Sequence, residues 1–165
     1  MATPFIMRPM TPEDWPDVCE VYRLGIETGL ATFEQRCPTY ESWDENHLHA
    51  CRIVASDGNR IAGWAALSAV SRRAVYRGVA ELSIYLHPDY KGRGLGRLLL
   101  EQLISDSEDS GFWTLQATIL AENAVSVALH GRCGFRTVGH RERIAQNSAG
   151  QWCDTILMER RSPSL

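Results

Sequence analysis

Runs of alternating apolar residues and runs with apolar residues every three or four positions follow one another along the chain, and the switches between them mark the elements. "FIMRP" reads as a short strand closed by Pro9. "TPEDWPDVCEVYRLGIETG" takes up the helical period, with Thr11 as cap, Pro12 in the first turn and Gly29 near the stop. "YESWDENHLHA" predicts a second helix, and "CRIVASDGNRIAGWAALSAV" two strands joined by a hairpin at Asp57-Gly58-Asn59. "VAELSIYL" is another strand. After the glycines of "KGRGLG" a helix carries Leu95, Leu98, Leu99, Leu103 and Ile104 as its apolar face and ends before Gly111. "WTLQATIL" predicts a strand, "NAVSVALHGR" a helix capped by Asn123, and "FRTVGHRERI" with "QWCDTILMER" a closing strand pair.

The order β, α, α, β, β, β, α, β, α, β, β implies a mixed α/β fold. We expect a largely antiparallel sheet of about seven strands, flanked by about four helices and containing at least one parallel crossover. The 165 residues suit a single domain, 1–165, with 161–165 as a flexible tail. Net charge is −3, which offers no basic surplus for a nucleic-acid partner. No stretch approaches the roughly 20 apolar residues of a membrane span, and the opening residues lack a cationic-then-apolar leader, so the expected location is cytoplasmic and away from membranes. Five widely spaced cysteines without a Cys-x-x-Cys pair are expected to be reduced, structural thiols. His47, His49 and His140 have no metal-ligand spacing, and no metal is expected.

The stretch "HPDYKGRGLGRLLLEQLI" sets Gly92, Gly94 and Gly96 beside Lys91, Arg93 and Arg97 at a helix start. Unpaired N–H groups, the positive end of the helix dipole and bare glycine backbone together suit a phosphate. No Gly-Lys-Ser/Thr follows, and Arg97 stands where a dinucleotide G-x-G-x-x-G loop needs its last glycine, so neither of those phosphate loops is present. The order does resemble Gln/Arg-x-x-Gly-x-Gly/Ala, the pyrophosphate loop of the GNAT superfamily of N-acetyltransferases, with Lys91 where Gln or Arg is usual. Some 30 residues on, "NAVSVALHGRCGF" resembles that superfamily's Asn-x-x-(Ala/Ser)-x-x-Leu-Tyr-x-x-x-Gly-Phe block.

The resemblance runs from "MRPMTPEDWPDV" to "GQWCDTILMER". It leans toward the phosphinothricin and methionine sulfoximine acetyltransferase branch, through Thr32-Phe33-Glu34, Arg73 to Tyr76, Ala80 to Leu86, and Gly150 to Asp154. It implies acetyl transfer from acetyl-CoA to the amine of a small amino-acid-like acceptor, of phosphinothricin, methionine sulfoximine or methionine sulfone type. The transfer would go by direct attack in a ternary complex, in a homodimer. It further implies that the main chain of Ile84, Tyr85 and Leu86 pairs with the pantetheine arm. Gly92, Arg93, Gly94, Leu95, Gly96 and Arg97 would seat the pyrophosphate through their amides, and Asn123 and Ser126 would touch the arm.

Glu81 lies with Ser83 and Tyr85 on one face of its strand. On strand composition it is a solvent-facing charge or a partly buried base, and the resemblance makes it the general base. His130, where a tyrosine is common, is either a helix-end histidine held by a carbonyl or the acid and oxyanion stabiliser at the departing thiolate. Asn123 has a second reading as a plain cap, and the side chains of Ile84 and Leu86 read as core. Arg73 and Tyr76 suit an acceptor carboxylate. Phe33 and Trp152 are pocket walls or ordinary core aromatics. Adjacent Arg72 and Arg73 depart from the branch's usual turn and leave other acceptors open: a protein N-terminus, a polyamine or an aminoglycoside. A non-catalytic acyl-CoA-binding module is the alternative from outside enzymology.

Overall fold

The computed structural model describes residues 4–165. Its strands are β1 (Ile6–Pro9), β2 (Ile53–Ser56), β3 (Ile61–Ala69), β4 (Val79–Leu86), β5 (Thr114–Leu120), β6 (Arg136–Gln146) and β7 (Trp152–Arg161). Its α-helices are α1 (Trp15–Glu27), α2 (Tyr40–Asn46), α3 (Leu95–Asp109) and α4 (Ala124–Arg132). The mixed α/β architecture is as expected. One seven-stranded sheet runs β1-β2-β3-β4-β5-β7-β6, antiparallel throughout except where β4 meets β5.

Strand alternation in the centre divides the core into two layers. Val54, Trp64, Ala66 and Tyr85 face α1 and α2, where Val18, Val21, Tyr22 and Trp43 cover them. Ala65, Leu67, Ala80 and Leu82 face α3, whose Leu95, Leu99, Leu100 and Leu103 are fully buried. The stripe on α3 takes in Leu100 and leaves Leu98 49% exposed, a correction to the apolar face expected from sequence. Positions 95, 99 and 103 fix the buried direction, and Leu98 falls on the flank turned to solvent. Ser107 lies in the polar last turns of α3. It is nonetheless buried, with Oγ donating to the Ile104 carbonyl at 2.7 Å.

The first helix begins one turn later than the sequence suggests: Pro12–Asp14 form a 3-10 turn before α1. Asp14 secures it by accepting from the Thr11 N–H at 2.8 Å and from both Arg8 guanidinium nitrogens at 2.7 Å. Two glycines set how closely layers approach. A Cβ at Gly25 would meet the Tyr85 ring at 2.7 Å, so α1 can lie directly on β4. A Cβ at Gly78 would meet the Trp113 ring at 2.1 Å, where Gly78 O accepts from the N–H groups of Trp113 and Thr114 and starts the β4–β5 pairing. The reduced state expected of all five cysteines is corrected at one pair, because the fold brings Cys19 of α1 against Cys37 as a disulfide. Arg161 still pairs with Thr114, and Ser162 N–H donates to the Trp113 carbonyl at 2.8 Å, so order reaches into the segment expected to be a tail.

Candidate active site

The parallel pairing of β4 with β5 covers three residue pairs, Val79 with Thr114, Ala80 with Leu115 and Glu81 with Gln116, and then stops. Both strands continue, β4 to Leu86 and β5 to Leu120, so past Glu81 they diverge and leave a row of β4 main-chain groups without a strand partner on that side. A cleft of about 330 Å³ opens in the fork. Its walls are β4 and β5, the start of α4, and the 31–34 segment after α1. That segment is tied across the cleft, since Asn123 Nδ2 donates to the Leu30 carbonyl at 3.1 Å while Asn123 Oδ1 caps α4 by accepting from Ser126 N–H at 3.2 Å.

Glu81 stands at the vertex of the fork, half-buried, and the Thr118 hydroxyl donates to its Oε1 at 2.6 Å. This bond fixes the carboxylate's rotamer while Oε2 makes no hydrogen bond among the described residues, which leaves an acceptor aimed at the cleft. His130, 2% exposed, also lines it. The Ser126 carbonyl lies 2.8 Å from His130 Nδ1 and can only accept, so Nδ1 carries the proton and Nε2 is a bare lone pair with no partner. Burial pushes the His130 pKa below its ordinary value, outweighing the opposing pull of the Ser126 carbonyl, and the ring is neutral at pH 7. Thr155 Oγ1 is a second buried polar atom without a partner on the cleft wall. Under the floor, Trp64 stacks on Tyr85 at 5.0 Å and on Tyr22 at 5.6 Å.

At the other end of β4, Gly92 and Gly94 have φ of 74° and 79°, and nothing lies within 4 Å of where their Cβ atoms would be. Bare backbone therefore faces open space directly before the free first-turn amides of α3. Gly96 serves packing, since its Cβ would press on Leu86 Cδ1 at 3.2 Å and Leu129 Cδ2 at 3.3 Å. These features fit a pyrophosphate and an extended arm leading to the fork.

Of the residues singled out from sequence, the cleft brings together Glu81, Ile84, Tyr85, His130, Asn123, Ser126 and Phe33. It does not include Arg73, Tyr76 or Trp152. Arg73 sits 5.5 Å over the Tyr76 ring in an exposed turn between β3 and β4. Trp152, 53% exposed, borders an adjoining recess with Gly29, Leu120 and Gln151. Sequence reasoning missed Thr118, whose strand carries no local motif, and Thr155, one position past the Gly150 to Asp154 run, and passed over Glu34, which stood in plain view in "TFE". Glu34 and Glu81 are the charged residues lining the cleft, and no lysine or arginine lines it among the described residues.

Comparison with known proteins agrees with this geometry. Residues 14–135 match the model of the Acetyltransferase (GNAT) family. A phosphinothricin N-acetyltransferase of Alcaligenes faecalis is 31% identical over 165 residues, covering 93% of this chain and 81% of the relative. Two crystal structures superpose with a TM-score of 0.86. The ribosomal-protein-alanine N-acetyltransferase of Brucella melitensis is 28% identical, over 95% of this chain and 99% of that one. The phosphinothricin acetyltransferase of Sinorhizobium meliloti, in complex with AcCoA, is 29% identical, over 95% of this chain and 88% of that one. With the forked strands, the glycine loop and a family match spanning both, the chain belongs to the GNAT family of acetyltransferases.

Proposed function

We propose that this enzyme transfers acetyl from acetyl-CoA to the primary amine of a small amino-acid-like molecule, of phosphinothricin or methionine sulfoximine type, by direct attack in a ternary complex. The observation that carries the reading is the fork itself: unpaired β4 backbone leads from the glycine loop to a carboxylate at the vertex. Acetyl-CoA supplies the activated acyl group. The main chain of Ile84 to Leu86 would hold its arm as an added strand, and the amides from Gly92 to Arg97 its pyrophosphate. Asn123 and Ser126 border the arm's path at the start of α4.

Glu81 takes the proton that an ammonium must lose before it can attack, through the Oε2 left free by the Thr118 bond. His130 fits a hydrogen-bond acceptor better than an acid to the departing thiolate, because its tautomer leaves no proton on Nε2 to give. Phe33 contributes an apolar wall, while Arg73, Tyr76 and Trp152 lie outside the cleft lining and would have to reach the acceptor from there. No step calls for a metal. Homodimeric assembly rests on the resemblance and a cytoplasmic location on the hydropathy pattern of the sequence, and sedimentation and fractionation test them.

A second reading has its own observation. Among the described residues the cleft presents Glu34 and Glu81 and no lysine or arginine, which favours an acceptor without a carboxylate, such as a polyamine or a peptide N-terminus. A thiol-release assay with acetyl-CoA over phosphinothricin, methionine sulfoximine, methionine sulfone, spermidine and alanine-initiated peptides decides between them. The first reading expects the amino-acid analogues to lead in kcat/KM and Arg73→Ala to lower that lead by about tenfold, the size of a lost charge-assisted pair. It fails when spermidine or the peptides lead and Arg73→Ala changes nothing.

A further inference from the structure

Four cations surround the glycine loop, and they are not equivalent. Arg60 is committed to Asp89 at 2.5 Å and to the Tyr90 hydroxyl at 2.9 Å, and Arg97 to Glu101 at 2.7 Å. Lys91 and Arg93 make no ion pair or side-chain hydrogen bond among the described residues, and of these two only Arg93 is held in place. Its guanidinium carbon lies 5.2 Å from the Tyr90 ring centre and 5.3 Å from that of Phe5. Those rings meet edge-to-face at 5.8 Å, and Tyr90 is 3% exposed, with its hydroxyl donating to Asp57 and accepting from Arg60. A planar, weakly hydrated guanidinium stacked on fixed rings keeps its orientation while every N–H remains free for an anion.

The direction of that side chain matters. Phe5 leads into β1, the outer strand of the sheet, so Arg93 turns away from the fork, to the far side of the loop. Coenzyme A is linear in its charges: thioester, pantetheine arm, pyrophosphate, then a 3′-phosphate on the ribose. With the thioester end at Glu81 and the pyrophosphate on backbone amides, the remaining phosphate would have to be met outside the fork, and on that side Arg93 offers a stacked guanidinium with no carboxylate partner among the described residues. We infer that Arg93 is a specificity residue for the 3′-phosphate of coenzyme A, held in position by Phe5 and by the Asp57–Tyr90–Arg60 network. This rests on the cosubstrate reading above.

The test is calorimetric titration of CoA and of 3′-dephospho-CoA into the wild-type protein, Arg93→Ala, Arg93→Lys and Lys91→Ala, with thermal melting to verify folding. Wild type is expected to prefer CoA by at least about tenfold, the worth of a charge-assisted contact. Arg93→Ala should bring the two ligands to within about twofold of each other by weakening CoA and leaving 3′-dephospho-CoA unchanged, and Arg93→Lys should keep part of the preference. Lys91→Ala should keep the wild-type ratio. Equal binding of both ligands to wild type overturns this assignment and leaves the cosubstrate reading standing. A parallel loss of both ligands in Arg93→Ala, or a preference erased by Lys91→Ala, also overturns it. Binding of neither ligand to wild type overturns both readings.

Discussion

The two ends of β4 are built by different means. At the C-terminal end, one continuous stretch from His87 to Arg97 makes the whole cofactor-side loop, and its glycines, its helix start and its cations are consecutive in sequence. At the vertex end, Glu81 is bonded by Thr118 from β5 and shares the cleft with Thr155 from β7, His130 from α4 and Glu34 from the segment after α1, residues far apart in the chain. A phosphate can be recognised by backbone alone, so its site is written locally. A proton acceptor in a shaped cleft needs side chains from several elements, so its site exists only once the sheet has forked.

The sharpest way to break that division is Glu81→Gln, which keeps the Thr118 contact and the shape but removes the base. We expect kcat to fall by about 10²- to 10⁴-fold, the usual range for a general base, while calorimetry gives an unchanged affinity for acetyl-CoA. A rate within a few-fold of wild type, or a matching loss of cofactor affinity, would show that the two ends are not separable and that Glu81 is not the base.

At the loop end the corresponding change is Gly94→Ala. With φ at 79°, any side chain there strains the backbone by about 1–2 kcal/mol, and the amides of the α3 start should lose their aim. We expect acetyl-CoA affinity to fall by about tenfold, as that strain converts into binding, with kcat at saturation little changed. Measured as a KM rise without a kcat loss, this is the mirror image of Glu81→Gln.

The same contrast explains what could be read in advance. Each strand and helix is announced by its own period and punctuation, and Asp57-Gly58-Asn59, Asn123 and the loop glycines Gly92 and Gly94 do what their local chemistry suggests, while Gly96 serves packing instead. What escaped were meetings between distant segments. Thr118 is an ordinary outward strand residue until the fork turns it onto Glu81, and Cys37 shows its partner only when the segment after α1 folds back on that helix. Leu98 misled because three-residue spacing from Leu95 fits an apolar face, whereas packing against β3 and β4 selected the 99, 100, 103 stripe.

Asn123 both lines the vertex cleft and caps α4, and its replacement tests whether the cap and the cleft wall are coupled. Asn123→Ala removes the α4 cap, at about 1 kcal/mol, and releases the Leu30 carbonyl that anchors the segment bearing Phe33 and Glu34. We expect a severalfold rise in acceptor KM, while Asn123→Asp restores the cap's stability without restoring KM, since a carboxylate cannot donate to Leu30. Equal recovery of both by the Asp variant would make the residue a cap and nothing more.

Acid titration separates the two ends by stability, with the smallest effects. His130 at the cleft is held below its ordinary pKa chiefly by burial, as is His47 against Trp43. For such groups the unfolded chain takes up protons first, so stability is unaffected above the unfolded value of about 6.5 and declines as pH falls below it. Asp57, beside the loop, is lowered to about 2, first by the Tyr90 hydroxyl and then by the Asn59 and Arg60 N–H groups. Its contribution is intact above its unfolded value and is lost as pH falls from about 4 toward 2. Melting temperature against pH should therefore show two descents. Replacing His130 with Leu should flatten the upper one in part, with His47 supplying the remainder, and Tyr90→Phe should flatten the lower one in part while leaving the upper untouched, since Asp14, Asp44, Asp89 and Asp154 are also held below their ordinary values by their partners. If Tyr90→Phe instead reshapes the descent below pH 6.5, the loop network and the cleft titrate as one unit, and their separation along β4 is a feature of the fold without an energetic counterpart.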